Sequence, residues 1–221
     1  MVNSNYQQNE ETCSKTSPSL ITFICKVGIY MKLFFGALVV FIIVMIAKKK
    51  IYYHFRIVER GKLYRCGLLS RVGMHFVCRQ YRIKTIINLI SEIEEPALKK
   101  QKKVEVPYCL KNNINLFNIP CKEDTPLNEE QVHKFLQICM NPEFQPVLLH
   151  CEAGIIRTNM MVTVYLKNRY NLPNDEILKK LPFWGHRIDK RPHVKDFILS
   201  YKKEPRPVVI ERKNSVEDYT K

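Results

Sequence analysis

The residues best suited to chemistry form one run, His150-Cys151-Glu152-Ala153-Gly154-Ile155-Ile156-Arg157-Thr158. Five residues separate Cys151 from Arg157, and the run lies between an apolar strand and a helix. Loop N–H groups and the dipole of the following helix can hold an anion there. The loop can wrap a phosphate so that the guanidinium of Arg157 grips two oxygens while the sulfur faces phosphorus. A thiol in that setting is expected as the thiolate, the form that attacks. Gly154 allows a backbone approach that a bulkier residue would block. The Thr158 hydroxyl can donate to the sulfur and ease its departure in a second step. Glu152, Ala153, Gly154, Ile155 and Ile156 are the residues expected to surround the bound group.

Positioning such a loop takes a sheet and covering helices. Val147–His150 is a buried strand entering the loop, and a helix is expected from about Thr158 to Tyr170. Lys62–Cys66, Lys84–Ile90 and Asn115–Ile119 read as further strands, the last stopped by Pro120. Ser70–Tyr81 reads as a helix capped by Ser70, and Asn128 caps another through Met140, with Glu130 near its positive end. Glu94–Lys103 reads as an exposed helix, with Glu95 four residues before Lys99. Asp175–Leu181 and His193–Tyr201 complete the set. Strands alternating with helices predict an α/β fold with a mostly parallel central sheet flanked by helices.

The Cys-x5-Arg run, with His150 before it and Thr158 after it, resembles the signature of the cysteine-dependent protein tyrosine phosphatases, in their compact dual-specificity branch. Leu63-Tyr64-Arg65-Cys66-Gly67-Leu68-Leu69-Ser70 is similar to the Tyr-Arg-Ser-Gly-x-x-Ser segment of bacterial and atypical members. Ile83–Leu89 is similar to the strand that follows it. The resemblance covers about residues 60–200 and implies the cysteine-phosphatase fold. It also implies a phosphate monoester hydrolase working through a phosphocysteine, with no metal or organic cofactor and with His150 supporting the loop. Two residues depart from the pattern: Asn159 stands where many relatives have Gly, and Cys66 where Ser is usual. Glu152 and the two isoleucines make the loop less basic than those of polyphosphoinositide phosphatases, against highly charged inositol headgroups.

The resemblance places a general acid on a loop before the helix that starts near Asn128. There the sequence is Lys122-Glu123-Asp124-Thr125-Pro126, and Asp124 is the expected acid with Glu123 as the alternative. Phosphotyrosine, phosphoserine and phosphothreonine proteins are the implied substrates. A phospholipid or a soluble inositol phosphate is the alternative, and a catalytically dead phosphate-binding module is the non-enzymatic one. His54, His75, His133, His186 and His193 show no metal-ligand spacing and are expected in structural roles. His186-Arg187, after Trp184-Gly185, is a candidate pocket border.

Eight cysteines carry no CxxC pair, and several sit among apolar neighbours, which suits free buried thiols in a reducing compartment. Cys66 and Cys121 are candidates for a disulfide with oxidised Cys151, with simple burial the plainer alternative.

Residues 33–47 form an uncharged apolar run of ~22 Å as a helix, against a hydrocarbon core of roughly 30 Å. With Gly28–Lys32 added and Lys32 snorkelling, a single-pass N-terminal transmembrane helix is expected within residues 20–50. Lys48, Lys49 and Lys50 place the chain after residue 50 in the cytoplasm by the positive-inside rule. The expected layout is a disordered tail at 1–19, the anchor at 20–50, a catalytic domain at 51–204 and a charged tail at 205–221. Lys and Arg number 36 against 21 Asp and Glu, a net charge of +15 that favours anionic partners, including a membrane surface. No zinc-finger spacing, RNA-recognition motif or basic-region helix is present, so nucleic acid is not an expected partner. Hydrophobic residues at 46% exclude wholesale disorder.

Overall fold

The computed structural model of the chain describes residues 18–91, 95–183 and 191–203. The tail expected at 205–221, most of that expected at 1–19, and Trp184, Gly185, His186 and Arg187 lie outside the described residues.

The chain divides into two units, residues 1–46 and 47–221. The first contains most of helix α1 (Pro18–Ile51), so Pro18 and Ser19 begin a helix instead of ending a tail. From Leu33 to Ile46 every large apolar side chain of α1 is exposed, and because they are consecutive they cover all of its faces. The expected single-pass span is not borne out: among the described residues no helix is long and apolar enough to cross a membrane. The uncharged stretch between Lys32 and Lys48 is short of a full hydrocarbon core, and without a span the flanking lysines assign no side.

The second unit is an α/β sandwich. Five strands, β1 (Arg56–Glu59), β2 (Leu63–Cys66), β3 (Thr85–Asn88), β4 (Asn115–Asn118) and β5 (Val147–His150), form one sheet in the order β1-β2-β5-β3-β4. The four strands expected from strand–helix alternation pair in parallel: β2 with β5, β5 with β3, and β3 with β4. Strand β1 was not expected; it pairs antiparallel with β2 at the edge. Its exposed first half hides the apolar signal that marks the buried strands β2, β3 and β5.

Side chains alternate across the sheet and build a core on each face. Leu63, Ile87, Val147 and Leu149 pack against helices α4 (Glu129–Met140), α5 (Ile156–Tyr170), α6 (Asn174–Phe183) and α7 (Pro192–Ser200). Tyr64, Cys66, Ile86 and Leu148 pack against α2 (Arg71–Gln80) and α3 (Glu95–Asn112). Ser70 caps α2 by accepting from the Gly73 N–H. Asn128 caps α4 in a reciprocal box with Gln131, two bonds where the sequence suggested one. Helix α3 runs nine residues past the expected end at Lys103, through Pro107, and the added turns bury Glu105 and Cys109.

Candidate active site

The loop after β5 leads directly into α5, which begins at Ile156, so Arg157 and Thr158 stand in its first turn. Cys151 is buried, and two donors converge on its sulfur: the Gly154 N–H at 3.1 Å and the Thr158 Oγ1 hydroxyl at 3.1 Å. Both donors stabilise negative charge on the atom they approach. Gly154 holds φ +68°, and a Cβ on it would come within 2.4 Å of the Cys66 carbonyl and the Gly67 nitrogen. The loop therefore folds tightly onto the end of β2, which an L side chain at 154 would prevent. Glu152 is exposed, Ala153, Ile155 and Ile156 are half-buried, and Gly154 is buried.

Arg157 is buried, with Nη1 donating to the carbonyls of Leu89 (3.4 Å) and Cys121 (3.3 Å). Leu89 follows β3 and Cys121 follows β4, so the guanidinium lies where the carboxyl ends of the parallel strands meet, the usual ligand edge of such sheets. Cys121 also opens the segment that carries Asp124. Asp124 and Glu123 form a turn ahead of α4, and both are held by the residue before α7: Arg191 Nη1 to Asp124 Oδ1 at 2.5 Å, and Arg191 Nη2 to Glu123 Oε1 at 3.1 Å. A cleft of about 500 Å³ bounded by Ser91, Pro120, Lys122 and Thr125 borders this turn.

Three supports of the loop went unrecognised in the sequence. Arg65 on β2 is fully buried and donates to Asn159 Oδ1 and to the Gly154 carbonyl. Burial pushes its pKa down to about 10, opposed by the nearby Cys151 and Cys66 thiols. Asn159, noted only as a departure from Gly, thus supplies an acceptor to a buried cation. His54 Nδ1 donates to the Ala153 carbonyl at 2.7 Å. Glu105 approaches His150 with Oε1 2.8 Å from Nε2, both side chains buried. For Glu105 and His54 nothing in spacing pointed to the loop, whereas Arg65 stood inside the quoted Tyr-Arg segment.

Cys66, Cys78, Cys109, Cys121, Cys139 and Cys151 are free. Burial raises the thiols of Cys66 and Cys139 well above their ordinary value, and those of Cys78 and Cys121 up to about 12. Of the other histidines, His133 contacts Gln137, His75 meets Phe76 and Tyr108 edge-on, and His193 lies 4.0 Å from Asp124.

A mostly parallel sheet whose central strand ends in a Cys-x5-Arg loop, with the arginine in the first helical turn, defines the cysteine-phosphatase class. A family model described as a DSP-PTPase phosphatase fused to NAD+ kinase matches residues 55–180, more than half of the chain, and the chain belongs to that family of dual-specificity-type phosphatase domains. The chain is 40% identical over 73 residues to the dual specificity protein phosphatase OPG106 of Vaccinia virus (strain Western Reserve), covering 30% of this chain and 42% of the relative. It is 29% identical over 113 residues to the inositol diphosphatase DSP4 of Arabidopsis thaliana, covering 49% and 52%. The chain thus spans about half or less of these relatives' lengths. Among solved structures, the core catalytic domain of the PP-IP phosphatase SIW14 from S. cerevisiae superposes with a TM-score of 0.53 at 23% identity, over 67% of this chain and 85% of that one. TpbA of P. aeruginosa gives 0.51 at 16% identity, over 66% and 83%. Both show the fold.

Proposed function

We propose that residues 51–204 form a phosphatase domain that hydrolyses phosphate monoesters through a phosphocysteine. The observation that carries this is the Cys151 sulfur between the Gly154 N–H and the Thr158 hydroxyl, with Arg157 one residue earlier in the same helical turn. The Cys151 thiolate attacks phosphorus, and the bond from phosphorus to the substrate oxygen breaks. Loop N–H groups from Glu152 to Ile156 and the Arg157 guanidinium hold the equatorial oxygens. Asp124 gives its proton to the leaving oxygen, then, as the carboxylate, takes one from the water that attacks the phosphocysteine. Inorganic phosphate leaves, and the sulfur departs as thiolate with Thr158 donating to it. His150 supports the loop from the end of β5.

Phosphorylated proteins are the proposed substrates, supported by the match to a dual specificity protein phosphatase. An inositol phosphate is the second reading, favoured by the similarity to proteins named as an inositol diphosphatase and a PP-IP phosphatase. Turnover by the full chain of phosphotyrosine and phosphoserine peptides, against inositol phosphates and pyrophosphates at equal concentration, tests it. Preference for the inositol compounds replaces the first reading with the second, and no turnover of either or of an aryl phosphate overturns both.

We extend the proposal to contact between α1 and a lipid surface, supported by the exposed apolar side chains from Leu33 to Ile46 and the lysines at 48–50. Sedimentation of the full chain with anionic vesicles tests this; a chain left in the supernatant removes the lipid contact and leaves the phosphatase proposal untouched.

A further inference from the structure

Glu105 is a carboxylate with 1% exposure in the middle of α3, and the phosphatase reaction as written does not use it. A buried carboxylate is costly unless a partner compensates it. Its Oε1 lies 2.8 Å from Nε2 of His150, itself 3% exposed, the residue directly before the nucleophile. The contact is an ion-pair approach, since neither ring nitrogen makes a hydrogen bond of good geometry.

The backbone of His150 is also tied into the sheet. It pairs with Cys66 of β2 and Asn88 of β3, and its carbonyl accepts from the Leu89 N–H at 2.9 Å. The ring borders a small cavity of about 10 Å³ shared with Cys66, Gly67, Met74 and Glu105. The thiols of Cys66, Cys78 and Cys109 also lie near Glu105, and burial raises all three, with the carboxylate pushing the same way.

The geometry points to Glu105 as a positioning residue of the catalytic loop, holding the His150 imidazole and through it the start of the Cys151 loop. The inference rests on the proposed phosphatase reaction. Glu105 touches neither substrate nor sulfur; it acts across the sheet face opposite α5, through one ring. Its loss therefore disturbs turnover and leaves oxyanion affinity, which belongs to Arg157 and the loop N–H groups, nearly unchanged.

The test is a double-mutant cycle on the full chain with Glu105→Gln, His150→Asn and both together, followed by turnover of an aryl phosphate and by iodoacetamide labelling of Cys151. Glu105→Gln is expected to lower kcat and the labelling rate about tenfold, the lower range for groups that orient a reactive one, with vanadate affinity changed less than about twofold. In the His150→Asn background the same substitution should have no further effect. Equal losses in both backgrounds, or no loss in either, overturn the inference. Glu105→Asp, which keeps the charge and shortens the reach, guards against a folding defect and should show the same dependence on His150. Absence of wild-type turnover would strike at the phosphatase reading itself, whereas wild-type turnover without coupling strikes only at Glu105.

Discussion

Arg191, at the start of α7, bridges Asp124 and Glu123 with separate nitrogens, at 2.5 and 3.1 Å, and so ties the proposed acid turn to a helix that packs on α5. The pair is exposed, so its worth to stability is small, ~0.2–1 kcal/mol. Its consequence is geometric. Arg191→Ala should leave the unfolding free energy within about 1 kcal/mol of wild type while lowering the rate on phosphopeptides, where an acid must be in place. An unchanged phosphopeptide rate would show that the bridge does not position the turn.

The acid itself is separable by leaving group. Asp124→Asn should lose ~10²–10⁴-fold on phosphoserine or phosphotyrosine peptides and far less on an activated aryl phosphate, whose oxygen leaves without a proton. Glu123→Gln is the control. If Glu123→Gln carries the leaving-group dependence and Asp124→Asn is flat, the roles exchange.

Asn159 tests the floor of the loop. Its Oδ1 accepts from the buried Arg65, which also donates to Gly154. Asn159→Ala should destabilise the fold by ~1–3 kcal/mol through lost compensation of a buried cation, read by urea unfolding monitored on the intrinsic fluorescence. A neutral result would show that Arg65 finds another acceptor.

Acid stability has a defined contributor in Glu59. Burial alone would raise its pKa, but hydrogen bonds from Lys62, Tyr165 and Tyr170 outweigh it and hold the group below its ordinary 4.5. The unfolded chain therefore binds the proton first as the pH falls. The contribution is fully present above the ordinary glutamate value and is lost as the pH drops through the folded one. Wild type should lose more unfolding free energy than Glu59→Gln between about pH 6 and about pH 3. Equal losses would show that Glu59 does not contribute to acid stability.

The site was legible where residue type and register coincide. Val147–His150 is apolar and β-branched or leucine-rich, its end carries Cys151, and the strand, the loop and the helix followed in the expected order. Ser70 and Asn128 were legible as caps because a short polar side chain before an apolar-periodic run has few other uses. Strand β1 escaped because an edge strand with exposed Arg56 and Ile57 lacks a buried pattern. Glu105 and Asn159 escaped because their partners, His150 and Arg65, are 45 and 94 residues away, and only the sheet order brings them together. The α1 segment erred in the other direction: all-round hydropathy signalled a span, and its uncharged length fell short of one.

Selective labelling checks the environment of the nucleophile. Burial holds the thiols of Cys66, Cys78, Cys121 and Cys139 above their ordinary value, whereas the Cys151 sulfur has two donors at 3.1 Å. Iodoacetamide near neutral pH should modify Cys151 before these four, and vanadate should protect it. Thr158→Ala should slow the labelling. Uniform labelling without protection would mean that the loop is not organised around an oxyanion.

The phosphocysteine intermediate can be trapped directly. The full chain is mixed with an aryl phosphate, quenched in acid within its first turnover, and digested for peptide mass measurement. A gain of about 80 Da, one phosphoryl group, is expected on the peptide containing Cys151. The adduct should be absent from Cys151→Ser and accumulate in Asp124→Asn, where attack by water is slowed. Turnover that proceeds without an adduct on Cys151, or that survives Cys151→Ser, would contradict the phosphocysteine intermediate.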